Sequence, residues 1–206
     1  LSQRNWRQTP TILSGSNARN HVVTSANDGL ATRLDGFTIT GGRANGTILL
    51  TVEGQSFGGS NGGGMVLNSS SPTLSNLLIS GNSCPATDFS GGSGGGMVMN
   101  GGASVLTNVA FVNNSAYSGG GLSASSAFTM TNCVFSGNTA NAGGGGMIVG
   151  GASPTLTNVV FANNAATRTV GFTANGGAMV NNGGVTTLVN CTFFGNSATG
   201  GGGVMY

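Results

Sequence analysis

No lysine occurs in this chain, and only six arginines and four acids carry formal charge among its 206 residues. Arg4, Arg7, Arg19, Arg33 and Arg43 lie near the start, and only Arg168 lies further along. A formal net charge of +2 gathered at one end cannot track a phosphate backbone, which needs clustered cations along one face, so nucleic acid is set aside as a partner. The acids are Asp28, Asp35, Glu53 and Asp88, with none after position 88. Glycoside hydrolysis needs two carboxyl groups about 5 to 9.5 Å apart. Only Asp35 beside Glu53 or Asp28 could supply such a pair, so the expectation is a protein that is not an enzyme. The rival reading is a polysaccharide hydrolase or lyase, with Asp35, Glu53 and Asp88 as the carboxylates to test.

Other absences narrow the chemistry further. One histidine, His21, and three dispersed cysteines make no tetrahedral zinc set at a recognised spacing. The glycine turns carry no aspartate for calcium, and none is followed by the Lys-Ser/Thr pair of a phosphate loop. No cofactor and no metal is expected. No apolar run approaches the roughly 20 residues that a membrane-spanning helix requires, so no direct membrane span is expected. The sequence opens at Leu1 without a signal-peptide pattern, which predicts that a segment upstream is removed or lies outside it.

What the chain has in excess is glycine, 40 residues of it, and the excess is positional. Glycine-rich turns stand at Gly62–Met65, Gly94–Met97, Gly119–Leu122, Gly144–Met147, Gly176–Met179 and Gly201–Val204. Their starts at 62, 94, 119, 144, 176 and 201 differ by 32, 25, 25, 32 and 25. A period in this range belongs to stacked structural units, each touching only its neighbours. Within each unit, strands of three to five residues alternate with Gly, Ser, Asn or Pro turns. Such strands are too short for isolated hairpins and suit a coil in which each pairs in parallel with its equivalent one turn later.

Alternation sorts each strand into inward and outward columns. Met65, Met97, Leu122, Met147, Met179 and Val204 form one inward column, and Leu74, Leu106, Met130, Leu156 and Leu188 a second. Leu77, Val109, Cys133, Val159 and Cys191 form a third, followed by Ile79, Phe111, Phe135, Phe161 and Phe193. Burying such side chains is worth about 1.5 to 3 kcal/mol each. Two asparagine ladders flank these columns at the rung corners. One is Asn76, Asn108, Asn132, Asn158 and Asn190; the other is Asn82, Asn114, Asn138, Asn164 and Asn196. Asparagine tolerates left-handed backbone, and stacked amides bond along the axis, so both ladders read as structural. Cys133 and Cys191 share a column two rungs apart, about 9.6 Å, beyond the roughly 7 Å Cα limit for a disulfide. Both read as buried apolar residues, and Cys84 reads as a loop residue able to pair with another chain, a free thiol being the expectation.

The chain therefore reads as one all-β domain over 1–206, a single parallel solenoid with rungs of about 25 residues. Residues 1–42 form less regular rungs, 43–61 an excursion and 62–206 the regular repeats. In the first part, Leu34, Gly36, Phe37, Ile39 and Gly42 match Leu74, Asn76, Leu77, Ile79 and Asn82. Two seven-residue expansions extend corners at 83–93 and 165–175, on the same side and about 14 Å apart at three rungs. They are candidate binding loops, with Asp88, Phe89, Arg168 and Phe172 as contact residues and carbohydrate as the candidate ligand. Opposite the Met column, Val66, Val98, Ser123, Ile148, Val180 and Met205 point outward. A continuous apolar column calls for a cover, either a neighbouring chain or one of the loops. With Tyr206, its apolar members Val66, Val98, Ile148, Val180 and Met205 form the candidate assembly interface. Ice binding is set aside, because the outward columns mix Val, Ala, Ser and Leu and show no sustained threonine ladder.

The glycine turns combine with F-x-x-N endings: FVNN at Phe111, FSGN at Phe135, FANN at Phe161 and FFGN at Phe193. Over residues 21 to 206 this pattern resembles the repeats of polymorphic outer membrane proteins and of bacterial secreted right-handed parallel β-helix proteins. The resemblance implies a right-handed coil in a secreted or cell-surface passenger, often adhesive, whose repeats are scaffold. The functional expectation is an extracellular structural protein: a fibre-forming subunit, or an adhesin or stalk segment. Its open ends would self-associate head to tail or laterally, or join other surface proteins.

Overall fold

A computed structural model describes residues 8–47, 49–85, 91–167 and 173–206. The described strands wind into a coil with four parallel sheets per turn. Sheet 1 stacks the strands that follow the glycine turns: Val23–Ala26, Met65–Asn68, Met97–Asn100, Leu122–Ala124, Met147–Gly150 and Met179–Asn182. Sheet 2 stacks Arg33–Asp35, Thr73–Ser75, Val105–Thr107, Thr129–Thr131, Thr155–Thr157 and Thr187–Val189. Sheet 3 has seven strands, beginning with Thr11–Arg19 and Phe37–Gly42 and ending at Thr192–Phe194. Sheet 4 is shorter, with Ser115–Ser118, Thr139–Gly143, Ala165–Ala166 and Ser197–Ala198.

The register places like upon like. Met97 pairs with Met65 and Leu122, Phe135 with Phe111 and Phe161, and Leu106 with Leu74 and Met130. All four inward columns are buried where the rungs have neighbours on both sides. The sequence reading missed a fifth. Leu67, Met99, Ala124 and Val149, two residues beyond the Met column, also face inward and are buried. The phenylalanines form one file, with ring centroids 4.6, 4.8 and 5.0 Å apart and planes within 6° of parallel. Rung spacing of about 4.8 Å dictates that separation, so each ring covers the face of the next.

The two asparagine ladders solve different problems. Asn76, Asn108, Asn132, Asn158 and Asn190 have φ between 50° and 56°, a left-handed residue that turns the chain from sheet 2 into sheet 3. Their amides are exposed and bond in file, Asn190 to Asn158, Asn158 to Asn132 and Asn108 to Asn76, while Asn76 donates to Asp35 at 2.8 Å. The second ladder is buried, with Asn114, Asn138 and Asn164 fully so. Its corner places the left-handed conformation one residue earlier, at Gly81, Asn113, Gly137, Asn163 and Gly195. Asn138 Oδ1 accepts from the backbone N–H and the Nδ2 of Asn114, both at 3.0 Å. Asn138 Nδ2 donates to Phe111 O and to Asn164 Oδ1, both at 2.9 Å. Each buried amide thus satisfies an N–H and a carbonyl of the rung before it and bonds to the amide of the rung after it.

The glycine turns allow backbones to touch. The first glycine of each turn has positive φ, as at Gly144 with φ 65°. A Cβ on the second, Gly145, would stand 2.3 Å from Gly177 O and 2.5 Å from Ala165 O. The third position is more permissive, because Ala178 occupies it in the fifth turn and is fully buried there.

Two readings of the sequence need correction. The final turn lies one residue later than the alignment placed it: Gly202 carries the positive φ, and Met205, not Val204, pairs with Met179. Met205 therefore belongs to the inward column and Tyr206 follows Val180 outward. A tyrosine carries a polar tip that an interior column cannot satisfy, so the slip keeps its hydroxyl outside. Cys84 is 1 % exposed, packed with Ala44 and Ala116, and is inaccessible to another chain. All three thiols are free.

Removing the Asn138 amide strands the Asn114 N–H and the Phe111 carbonyl, each costing about 1 to 3 kcal/mol when buried and unpaired. Asn138→Ala is expected to lower urea-melt stability by at least about 2 kcal/mol, while Asn132→Gly, which keeps the left-handed corner on the exposed ladder, changes it by under about 1 kcal/mol. Gly145→Ala is expected to cost about 3 kcal/mol or more and Gly146→Ala clearly less, in the same melts. Burial pushes the Cys84 thiol up to about 12 and the Cys133 thiol up to about 11, from 9.0. A thiol whose pKa is raised by folding stabilises fully below its unfolded pKa, and that contribution is lost as pH rises from there through the folded value. Stability should fall above pH 9 by about 1.4 kcal/mol per pH unit for each thiol. Cys133→Val, which copies Val109 and Val159 of the same column, should remove one thiol's share of that slope in melts between pH 8 and 11.

Candidate functional site

With the interior filled by stacked side chains, function falls to the outer faces, the corners and the loops. The outward column of sheet 1 is largely covered by the chain itself. Val66, Val98 and Val180 are 3, 4 and 5 % exposed. Two devices cover them. Each valine lies over the first glycine of its own turn, so that a Cβ on Gly62, Gly94 or Gly176 would meet the Cγ2 of Val66, Val98 or Val180 at 2.3 to 2.6 Å. At Val66 the cover is a hairpin as well. The excursion folds into antiparallel strands Leu49–Val52 and Gln55–Gly58, turning at Glu53 and Gly54, both with positive φ. Its Phe57 is buried against Val66 and Ala26. The cover expected from a neighbouring chain or a long loop is thus supplied there by the excursion.

Further along, Ile148, Val180 and Tyr206 line a groove of about 200 Å³ with Ser118, Ala142 and Asn175. It is the part of the proposed interface that stays accessible, and Tyr206 is exposed there. A second groove, of about 220 Å³, lies near the start of the coil between Arg19, Asn20, His21, Thr24 and Leu50. His21 Nδ1 sits 3.0 Å from Gly62 O, and burial lowers its pKa, so the ring is held neutral and its Nδ1–H donates to that carbonyl.

Among the described residues the acids do not converge. Asp28 lies at the corner between sheets 1 and 2, where it accepts from Ser25 at 2.5 Å and from Thr32 at 3.3 Å. Asp35 ends the sheet 2 strand and accepts from Asn76, whereas Glu53 sits at the hairpin turn. Among the described residues no group of three or more His, Cys, Asp or Glu could hold a metal ion.

Both long loops leave and re-enter through sheet 4. Ser83 bridges Arg43 and Ser115, Ser93 bridges Ser118, and Asn175 bridges Gly143, so the loop bases lie on one side of the coil. Asp88, Phe89, Arg168 and Phe172 lie outside the described residues. One outer face was misjudged from sequence. The outward residues of sheet 2 do form threonine rows. Thr73, Val105, Thr129, Thr155 and Thr187 stand in register, and beside them Ser75, Thr107, Thr131, Thr157 and Val189. The signal was the T-x-T spacing on either side of the inward Leu column, diluted when all outward positions were considered together.

No curated protein and no solved structure matches the chain. A family model for the right-handed β-helix region matches residues 14–205, nearly the whole coil. The stacked parallel sheets, the in-register columns and that match agree, and the chain belongs to the right-handed β-helix family.

Proposed function

We propose that this chain is a structural segment of an extracellular or cell-surface protein, a stiff coil that extends by adding rungs along its axis and carries two loops on one side. The observation that carries this reading is the in-register stacking itself, in which each rung gives the next a phenylalanine ring of the aromatic file, an asparagine amide of the buried ladder and the edges of the parallel sheets. Cohesion thus runs along the axis, and a head-to-tail contact between copies that repeats it without closing into a ring gives a filament. The resemblance to secreted and surface-displayed repeats supports the location, as does a surface built of Gly, Asn, Ser and Thr with few charges. Asp28 and Asp35, each engaged in hydrogen bonds at its own corner, support a scaffold over a hydrolase or lyase.

The common side of the two loop bases favours a second reading, recognition of carbohydrate or of another surface protein by the loops, with the coil as spacer. Sedimentation and negative-stain electron microscopy of the purified chain test the first reading. Particles should lengthen along one axis as concentration rises, and dispersed monomers at every concentration would reject axial assembly. Glycan-array binding that disappears when 86–90 and 168–172 are replaced by short glycine-serine links, with the melt unchanged, would establish the second.

A further inference from the structure

We infer that the outer face of sheet 2 is an ice-binding surface, its ligand being the ordered water of a crystal face. The face is a two-column lattice. Thr129 and Thr131, Thr155 and Thr157 occupy both columns of consecutive rungs, Thr107 and Thr187 extend them, and the pairing is parallel without a register shift. Val105 and Val189 keep the β-branched shape where the hydroxyl is absent. Rows lie about 4.8 Å apart and the columns about 6.6 Å apart, two residues along a strand. The row repeat is close to the oxygen spacing along the shorter axis of a prism face of hexagonal ice, and the column separation is about a tenth less than the repeat along the longer one.

Three features make this a surface for water rather than for a charged or flexible ligand. Among the described residues, the hydroxyls of Thr107, Thr129, Thr131, Thr155, Thr157 and Thr187 have no protein hydrogen-bond partner, so each is free to bond to water. Ser75, in the same column as Thr107, is 7 % exposed, and its buried Oγ has no partner among the described residues. Beyond Arg33 and Asp35 in the first row, no charged residue occurs in either column. Branching at Cβ restricts χ1, so identical threonines in identical backbone settings hold methyl and hydroxyl groups in a repeating array before any ligand arrives. Water over the methyls is restricted in orientation, and the hydroxyls bond it in place. A crystal face engages all rows at once, so weak single contacts add.

The surface is independent of axial assembly and of the loops. The test is adsorption of the fluorescently labelled chain to a single-crystal ice hemisphere, together with inhibition of ice recrystallisation. The parent chain should coat the ice and restrain grain growth. Thr131→Tyr, at the centre of the lattice, should weaken both by at least about tenfold, whereas Ser136→Tyr, on the outer face of sheet 3, leaves both intact. Melts matching the parent confirm that each variant is folded, and Thr157→Lys serves in place of Thr131→Tyr should that variant not fold. A parent chain excluded from ice overturns the inference, as does full activity in the folded lattice variant. Adsorption to chitin or cellulose powder without adsorption to ice would also overturn it, assigning the face to a crystalline polysaccharide.

Discussion

Parallel pairing of each strand with its equivalent one rung away is the constraint on which the rest of this protein depends. Because the pairing is parallel and in register, whatever stands at one position of a rung meets its own counterpart about 4.8 Å above and below. Apolar residues gain from that meeting and charges lose, since like charges would stand in file. The near absence of charge and the lack of lysine follow from the architecture. So does the use of asparagine as the polar residue of the interior, because an amide is both donor and acceptor and can bond to a copy of itself. Asn82, Asn114, Asn138, Asn164 and Asn196 convert what would be a buried polar liability into a continuous hydrogen-bonded line that also ties down backbone groups.

The corners carry the same logic in backbone terms. A rung of about 25 residues needs several sharp turns, and the chain makes them with residues that accept positive φ or lack a side chain. At the turn between sheets 4 and 1 neighbouring backbones come so close that a methyl on the second glycine would strike a carbonyl. Rungs of about 25 residues keep every column aligned, and the two 32-residue rungs place their extra residues at the corner by sheet 4. Both insertions depart and return within the register of the sheet, so the coil is undisturbed.

Outer surfaces are freed by this arrangement, since cohesion lies in the interior and along the axis. The three long outer faces diverge accordingly. Sheet 1 turns a valine column outward and then covers it with its own glycine turns and the Phe57 hairpin. Sheet 3 shows a mixture that runs from Ala and Ser to Val, Leu78 and Phe194. Sheet 2 repeats threonine with little interruption, and repetition imposed by the fold makes that face regular in two dimensions.

The repeat, the four inward columns, the two asparagine ladders and the parallel pairing were legible in the sequence, because a period of 25 with fixed offsets leaves one way to stack Met on Met and Phe on Phe. Even the irregular start was readable, with Leu34 and Ile39 pairing with Leu74 and Ile79 as their spacing required. Tertiary structure decided what lay beyond one rung's own pattern. Burial of Cys84 at a loop base, closure of Phe57 over Val66 and the one-residue slip that brings Met205 onto Met179 depend on segments whose lengths break the repeat. The threonine lattice likewise emerges only when rungs are laid over one another and outward positions are sorted by sheet. The sequence by itself determined which residues share a column, because periodicity encodes register. Only the folded coil decided which columns meet water, because exposure depends on what the irregular segments come to cover.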